Sequence, residues 1–270
     1  MLKNTLLFFL SCLGLLISCK SGNKYADQAA NNGVENKDFE ATINFINEKS
    51  KTSQLKFDDY KLRALSFVSL KNYQLAINDF RHCLSLKSKD TVVINKIATS
   101  YALLSKPDSA ILFYSILISM DDKNWEAYNN RGLSYLNINK FQPAMSDFTK
   151  SLRLNPNYYM SLNNMGLLNE RISNYSEAIK YYTISLSKYK KNDRVYFNRA
   201  VSYMYMKQPE HALFDFDKAI ELNSHESLYY LNRGMANYLL KKRNASCEDW
   251  GISVKMGNKE ALQYKLQFCN

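Results

Sequence analysis

A period of 34 residues constrains this chain more than any other feature. With Tyr128 set as position 4, the units 57–90, 91–124, 125–158, 159–192, 193–226 and 227–260 follow one another without insertion. Position 4 holds Tyr60, Ile94, Tyr128, Leu162, Tyr196 and Tyr230. Position 8 is always small: Ala64, Ala98, Gly132, Gly166, Ala200 and Gly234. Position 20 holds Ala76, Ala110, Ala144, Ala178, Ala212 and Ser246, and position 24 is always aromatic: Phe80, Tyr114, Phe148, Tyr182, Phe216 and Trp250. A short unit recurring at fixed spacing cannot bury its apolar face alone. It must stack on its neighbours, so the chain reads as a repeat array.

The spacing within a unit is that of two antiparallel helices. Positions 4, 8 and 11 lie on one face of a first helix, and positions 20, 24, 27 and 28 on one face of a second. Small residues at 8 and 20 let the two axes approach, and the aromatic at 24 fills the space beside them. The join falls near positions 15–18, where Lys106-Pro107-Asp108 and Gln208-Pro209-Glu210 stand. Pro143 suits the first turn of its second helix, where the missing N–H is harmless.

This pattern resembles the tetratricopeptide repeat family. The resemblance spans residues 57–260 and implies an all-α fold, an α-solenoid of six helix-turn-helix units. The sequence departs from the family in places: only Pro156 fills the usual proline near position 32, and Asn169 and Asn237 replace the aromatic at position 11.

The ends of the array need covers. On the N-terminal side, residues 37–56 carry a helical pattern with Phe39, Ile43 and Ile46 on one face; Ala41 and Phe45 are spaced like positions 20 and 24 of a half-repeat. On the C-terminal side, residues 258–270 carry Ala261, Leu262, Tyr264, Leu266 and Phe268 and read as a capping helix.

The chain opens with Lys3, an apolar run from Thr5 to Ile17, and then Ser18-Cys19. A short basic start and about a dozen apolar residues form a secretion signal, too short for an ordinary spanning helix. Leu16-Ile17-Ser18-Cys19 resembles the bacterial lipobox. That resemblance implies a leader at 1–18, an acylated Cys19 as first mature residue, and attachment to the cell envelope, as in lipoproteins of the Bacteroidota type. No aspartate or acidic cluster follows Cys19, which favours the periplasmic face of the outer membrane. Residues 19–36 are polar and read as a flexible tether.

The formal net charge is +11, one less once Lys3 is lost. The lysines are scattered among Asn and Tyr, so the charge reads first as a solvated surface and second as attraction to anionic partners. A nucleic-acid partner is not expected. Beyond Cys12 and Cys19, three cysteines remain. Cys83 stands at position 27, a small core site, while Cys247 and Cys269 fall in the last unit and its cap, where a disulfide can form in an oxidising compartment. No metal site, cofactor loop or nucleophile–base arrangement is present in the pattern of His82, His211 and His225 or elsewhere, and no catalytic residue is assigned.

The functional expectation comes from the resemblance. In such repeats the first helices line a concave groove that holds a peptide or a partner helix. Position 6 carries Asn130, Asn164, Asn198 and Asn232, whose amides can pair with a bound backbone or bond locally. Nearby positions add Lys61, Asn95, Asn129, Leu133, Asn163, Leu167, Arg194, Phe197, Val201, Tyr205 and Tyr238. The reading is a non-catalytic scaffold for envelope proteins, tethered by lipid; the alternative is a lipoprotein that captures a ligand or glycan. No oligomeric state is read from the sequence.

One further regularity appears when the units are compared. Arg63, Arg131, Arg199 and Arg233 at position 7 coincide with Asp79, Asp147, Asp215 and Asp249 at position 23. Where position 7 is apolar (Ile97, Met165), position 23 is aromatic (Phe113, Tyr181). A charge at a core position needs a partner, so four intra-repeat ion pairs of structural role are expected.

Overall fold

The computed structural model describes residues 36–269. The leader at 1–18, the acylation at Cys19 and all but the end of the tether at 19–36 lie outside the described residues. The described residues form 14 helices and no strand: α1 (Asn36–Thr52), α2 (Phe57–Ser69), α3 (Tyr73–Leu86), α4 (Thr91–Leu103), α5 (Pro107–Met120), α6 (Trp125–Asn137), α7 (Phe141–Leu154), α8 (Tyr159–Arg171), α9 (Tyr175–Lys188), α10 (Asp193–Tyr205), α11 (Pro209–Leu222), α12 (Ser227–Leu239), α13 (Arg243–Lys255) and α14 (Lys259–Phe268). The chain divides between Leu154 and Asn155 into two compact units. The first holds α1 and the hairpins α2–α3, α4–α5 and α6–α7. The second holds the hairpins α8–α9, α10–α11 and α12–α13, followed by α14.

In every hairpin the first helix runs from position 1 to 13 and the second starts at position 17. The turn between them is the same six times. The amide at position 16 donates to the carbonyl at 11, and that at 15 to the carbonyl at 12, as in Gln208 to Tyr203 (2.9 Å) and Lys207 to Met204 (3.0 Å). This is the Schellman arrangement, which needs a left-handed residue. That residue is Lys71, Ser105, Asn139, Ser173, Lys207 or Lys241, with φ between 55 and 61°, and none is glycine.

Close packing of each hairpin follows from positions 8 and 24. A Cβ added at Gly166 would lie 2.5 Å from the Tyr182 ring, and one at Gly234 would lie 2.6 Å from Nε1 of Trp250. As those rings are placed, each glycine leaves room that a Cβ would fill. At position 27 a hydroxyl ties the second helix to the start of the first: Ser151 donates to the Trp125 carbonyl, Ser185 to Tyr159 and Ser253 to Ser227, each at 2.8 Å. Cys83 holds the same place, fully buried with Sγ 3.6 Å from the Phe57 carbonyl, and burial pushes its thiol up to about 11. It is a core thiol, not a nucleophile.

The N-terminal cover is shifted by one residue from the sequence reading. Ile46, 1% exposed, occupies the place of the position-24 aromatic, whereas Ala41 is exposed and Phe45 is 69% exposed. Arg63 explains the register. Its Nη1 donates to Oδ1 of Asn47 at 2.7 Å, sixteen residues back, which holds α1 in the same 34-residue frame as the other second helices. At the far end α14 closes the second unit. Ala261 is fully buried, Tyr264 and Phe268 pack on Trp250, and a disulfide joins Cys247 to Cys269 with a Cα separation of 5.6 Å.

Candidate partner-binding surface

What a first helix can present depends on how it is fixed over its second helix, and the position-7 arginines fix it. Arg63, Arg131 and Arg199 each grip Asp79, Asp147 and Asp215 with Nε and Nη2 at 2.7–2.8 Å. Arg233 holds Asp249 through the same two nitrogens at 2.6–3.2 Å, and Asn237, at the usual aromatic position, adds a bond to that carboxylate at 3.0 Å. The aspartates are 1–6% exposed at the side chain, so these are buried, bidentate, charge-assisted pairs.

Each arginine does two further things that the sequence comparison did not show. Its guanidinium lies over the position-4 tyrosine of its own unit, 5.6–5.9 Å from the ring of Tyr60, Tyr128, Tyr196 or Tyr230. Its Nη1 donates to the second helix of the preceding repeat: Asn47, Ser115, Thr183 and Asp217, at 2.7–3.0 Å. The signal was available. Units with Ile97 or Met165 at position 7 also lack the tyrosine, with Ile94 and Leu162 at position 4, and the acceptor always lies sixteen residues before the arginine.

With the helices so fixed, the proposed groove residues separate into two groups. Asn129, Asn164 and Asn232 are 2, 7 and 6% exposed. The Asn129 amide donates to Asn130 at 3.0 Å, the Asn163 amide to Asn164 at 3.4 Å, and the Asn232 amide to the Leu228 carbonyl of its own helix at 2.8 Å. These asparagines serve local packing, because a buried amide must find its partner inside the fold. Leu167 and Val201 are likewise core residues, at 6 and 1%. Phe197 packs against Phe216 and Tyr229, and Tyr238 lies under the cap, 4.6 Å from the Phe268 ring. Oδ1 of Asn163 is buried without a hydrogen-bond partner.

The second group reaches the surface. In the first unit it comprises Lys61, Asn95, Asn130 and Leu133, all partly exposed; in the second, exposed Arg194 and partly exposed Asn198 and Tyr205. Tyr205 stacks on Tyr175 with ring centres 4.4 Å apart, and burial pushes its hydroxyl up to about 12. Glu170 stands at a largely apolar position and accepts from Tyr182 at 2.9 Å. Burial pushes its carboxyl up to about 7, against the opposing pull of that bond and of Arg171. A surface cleft of about 460 Å³ in the second unit is lined by Arg199, Tyr203, Glu210, His211, Phe214 and Asp215. Its arginine and aspartate are already engaged with each other, and His211 stacks on Tyr203. Among the described residues no group of three His, Cys, Asp or Glu side chains could hold a metal ion, and no helix is long and apolar enough to cross a membrane.

Sequence models of the tetratricopeptide repeat match residues 125–158, 194–226 and 62–90. The repeats of this chain are tetratricopeptide repeats. Solved structures with the same fold include a tetratricopeptide repeat protein from Parabacteroides merdae, 21% identical with a TM-score of 0.64 over 86% of this chain and 90% of that one. PilF of Pseudomonas aeruginosa is 16% identical with a TM-score of 0.68, over 78% and 97%. MamA of Desulfovibrio magneticus RS-1 is 19% identical with a TM-score of 0.56, over 62% and 94%. At these identities the likeness is one of fold. No curated protein matches the chain. Tetratricopeptide repeats are protein-interaction modules.

Proposed function

We propose that this protein is a non-catalytic scaffold of a bacterial envelope, held to a membrane by lipid on Cys19 and binding a peptide segment or helix of an envelope protein. The observation that carries the binding part is the sorting of the groove residues. Arg194 and Asn198 on α10 keep side chains at the surface while the neighbouring Asn232 and Val201 are consumed by the core. An open face with scattered donors and acceptors suits an extended chain or a helix, which supplies its own apolar surface. The lipid part is supported by Leu16-Ile17-Ser18-Cys19 following an apolar run, and by the polar residues that then lead to α1. A lipid anchor would confine the repeats to one surface and raise their effective concentration for partners there. The outer membrane, on its periplasmic face, fits the residues after Cys19.

Affinity capture from solubilised envelopes tests this reading, comparing the native protein with Arg194→Ala/Asn198→Ala. The expected result is a captured protein that the double variant loses at unchanged helical circular dichroism. Bound saccharide with no protein would overturn it. For the anchor, metabolic labelling with a fatty-acid analogue should mark the native chain and not Cys19→Ser.

A further inference from the structure

We propose that copies of this chain associate end to end, the apolar face of α14 in one copy seating on α1 of another to complete a repeat between two chains. Two half-repeats carry the inference. In the six hairpins, position 8 of the first helix faces its own second helix at positions 20, 23 and 24. A Cβ at Gly132 would lie 2.8 Å from the Phe148 ring and 3.1 Å from Cβ of Asp147, and one at Gly234 would lie 3.2 Å from the Ser246 carbonyl oxygen. Positions 8, 20 and 24 are buried in all six.

Helix α14 is a first helix. Its N-cap Asn258 accepts from the Ala261 amide at 3.0 Å, just as Asp90, Asn124 and Asn192 accept from Val93, Ala127 and Val195 at position 3. Ala261 is fully buried, and Val93, Ala127 and Val195 are buried as well. This frame runs two residues ahead of the strict period, and it puts Leu262 at position 4 and Leu266 at position 8. Among the described residues no second helix follows α14. Leu262 is 44% exposed, and Leu266 is 60% exposed where the six other first helices bury alanine or glycine.

Helix α1 is the converse, a second helix. Asn47 accepts from Arg63 at the place that Ser115 and Thr183 hold for Arg131 and Arg199, and Ile46 takes the position-24 place. Among the described residues no first helix precedes α1. Thr42, at position 20, is partly exposed where the six others are buried, and Phe45, at position 23, is 69% exposed.

Each half-repeat lacks what the other supplies. Laid on α1 in the geometry of the hairpins, α14 brings Leu266 over Thr42, Phe45 and Ile46. In the hairpins alanine or glycine at position 8 meets an aromatic ring at position 24. Here leucine would meet isoleucine, so a larger residue on one side is matched by a smaller one on the other. That exchange of sizes favours a second copy over an unrelated helix. The α14 surface is also fixed in advance, by the Cys247–Cys269 bridge and by Tyr264 and Phe268 against Trp250, so little ordering opposes docking. The two surfaces differ, so the contact is heterologous and each copy offers both. A single helix pair makes a small interface, and the association is therefore weak and concentration-dependent. It is independent of the lipid on Cys19 and of the groove.

The test is cross-linking by a short bis-maleimide between two differently tagged full-length copies, one carrying Phe45→Cys and the other Leu266→Cys. Among the described residues Cys83 is buried and Cys247 is bridged to Cys269, which leaves the introduced thiols to react. The native pair gives the background, and Leu112→Cys, at a site 58% exposed, replaces Phe45→Cys as the control. The expected 45–266 product rises with protein concentration and exceeds the 112–266 product by roughly tenfold. Adding Leu262→Lys to the 266 copy sets a charge in the apolar seat and should lower the yield by roughly tenfold or more. Leu262 is exposed in the single copy, so helical circular dichroism should be unchanged. Equal 45–266 and 112–266 yields, a predominance of 45–45 or 266–266 products, or indifference to Leu262→Lys would overturn the proposal. So would a Phe45→Cys thiol that stays shielded from maleimide at high dilution, because α1 would then be covered within its own chain.

Discussion

Arg199→Met is the substitution whose consequence follows most directly from the packing. Asp215 is 1% exposed at its side chain and Arg199 14%. The change deletes both bonds to Asp215 and the third bond to Thr183. The carboxylate is left buried without its cation, which costs about 3–5 kcal/mol. Because the guanidinium edge is partly open and water can replace some of it, the lower end, about 3 kcal/mol, is expected. For a chain of this size that is a fall of roughly 6–12 °C in Tm. The chain itself offers a rescue, since the repeat 159–192 carries Met165 and Tyr181 at the equivalent places. Arg199→Met/Asp215→Tyr should recover more than half of the loss, because an apolar pair can replace a buried ion pair at little cost. Thermal and urea denaturation by circular dichroism read both variants, and hydrogen exchange should place the weakening in α10 and α11. A single-variant loss below about 1 kcal/mol, or a double variant no better than the single, would refute the reasoning.

Three further outcomes can be checked. Cys269→Ser opens a bridge that closes a 22-residue separation and should cost about 3 kcal/mol, with Trp250 fluorescence shifting red as α14 loosens. For Glu170 the folded carboxyl lies near 7 and the unfolded one near 4.3. The folded state therefore holds the proton more tightly, so stability is greatest below the unfolded value, falls as pH rises toward 7, and then levels. Glu170→Gln should flatten that fall and gain about 1–3 kcal/mol at pH 8 in denaturant titrations. Lys207→Gly relieves a left-handed lysine and should add about 0.5–1 kcal/mol in the same assay.

The sequence made the period, the helix pairs and the Arg–Asp partners legible because each leaves a mark inside one 34-residue unit. Arg63 and Asp79 can be matched by aligning the units, and the structure brings them to 2.7 Å. What escaped was whatever lies between units or leaves no compositional mark. The bond from Arg131 to Ser115 joins neighbouring repeats, so it shows only when the alignment is read across a boundary. The left-handed turns carry no glycine, so nothing in Ser105 or Lys241 announced them. Ala41/Phe45 and Thr42/Ile46 are both pairs spaced four apart, and only Asn47 meeting Arg63 decides between them. Among the groove candidates, spacing put Asn198 and Asn232 at equivalent positions. Burial separated them, since Asn232 is 6% exposed and Asn198 is not buried.

The backward reach of each arginine also limits how this array can be lengthened or shortened. A tandem array is ordinarily editable by whole units, yet these units are of two kinds, and their order matters. Arg131 relies on Ser115 of the unit before it, while Arg81, at the matching place one unit earlier, donates to Tyr101 of the apolar-type unit that follows. Excising 91–124 would keep the 34-residue frame intact and bring Arg131 up against Arg81, cation to cation. Excising 193–226 alone, by contrast, would bring Arg233 to Thr183, the acceptor that Arg199 already uses, so which single repeat can be removed depends on what precedes the arginine that follows it.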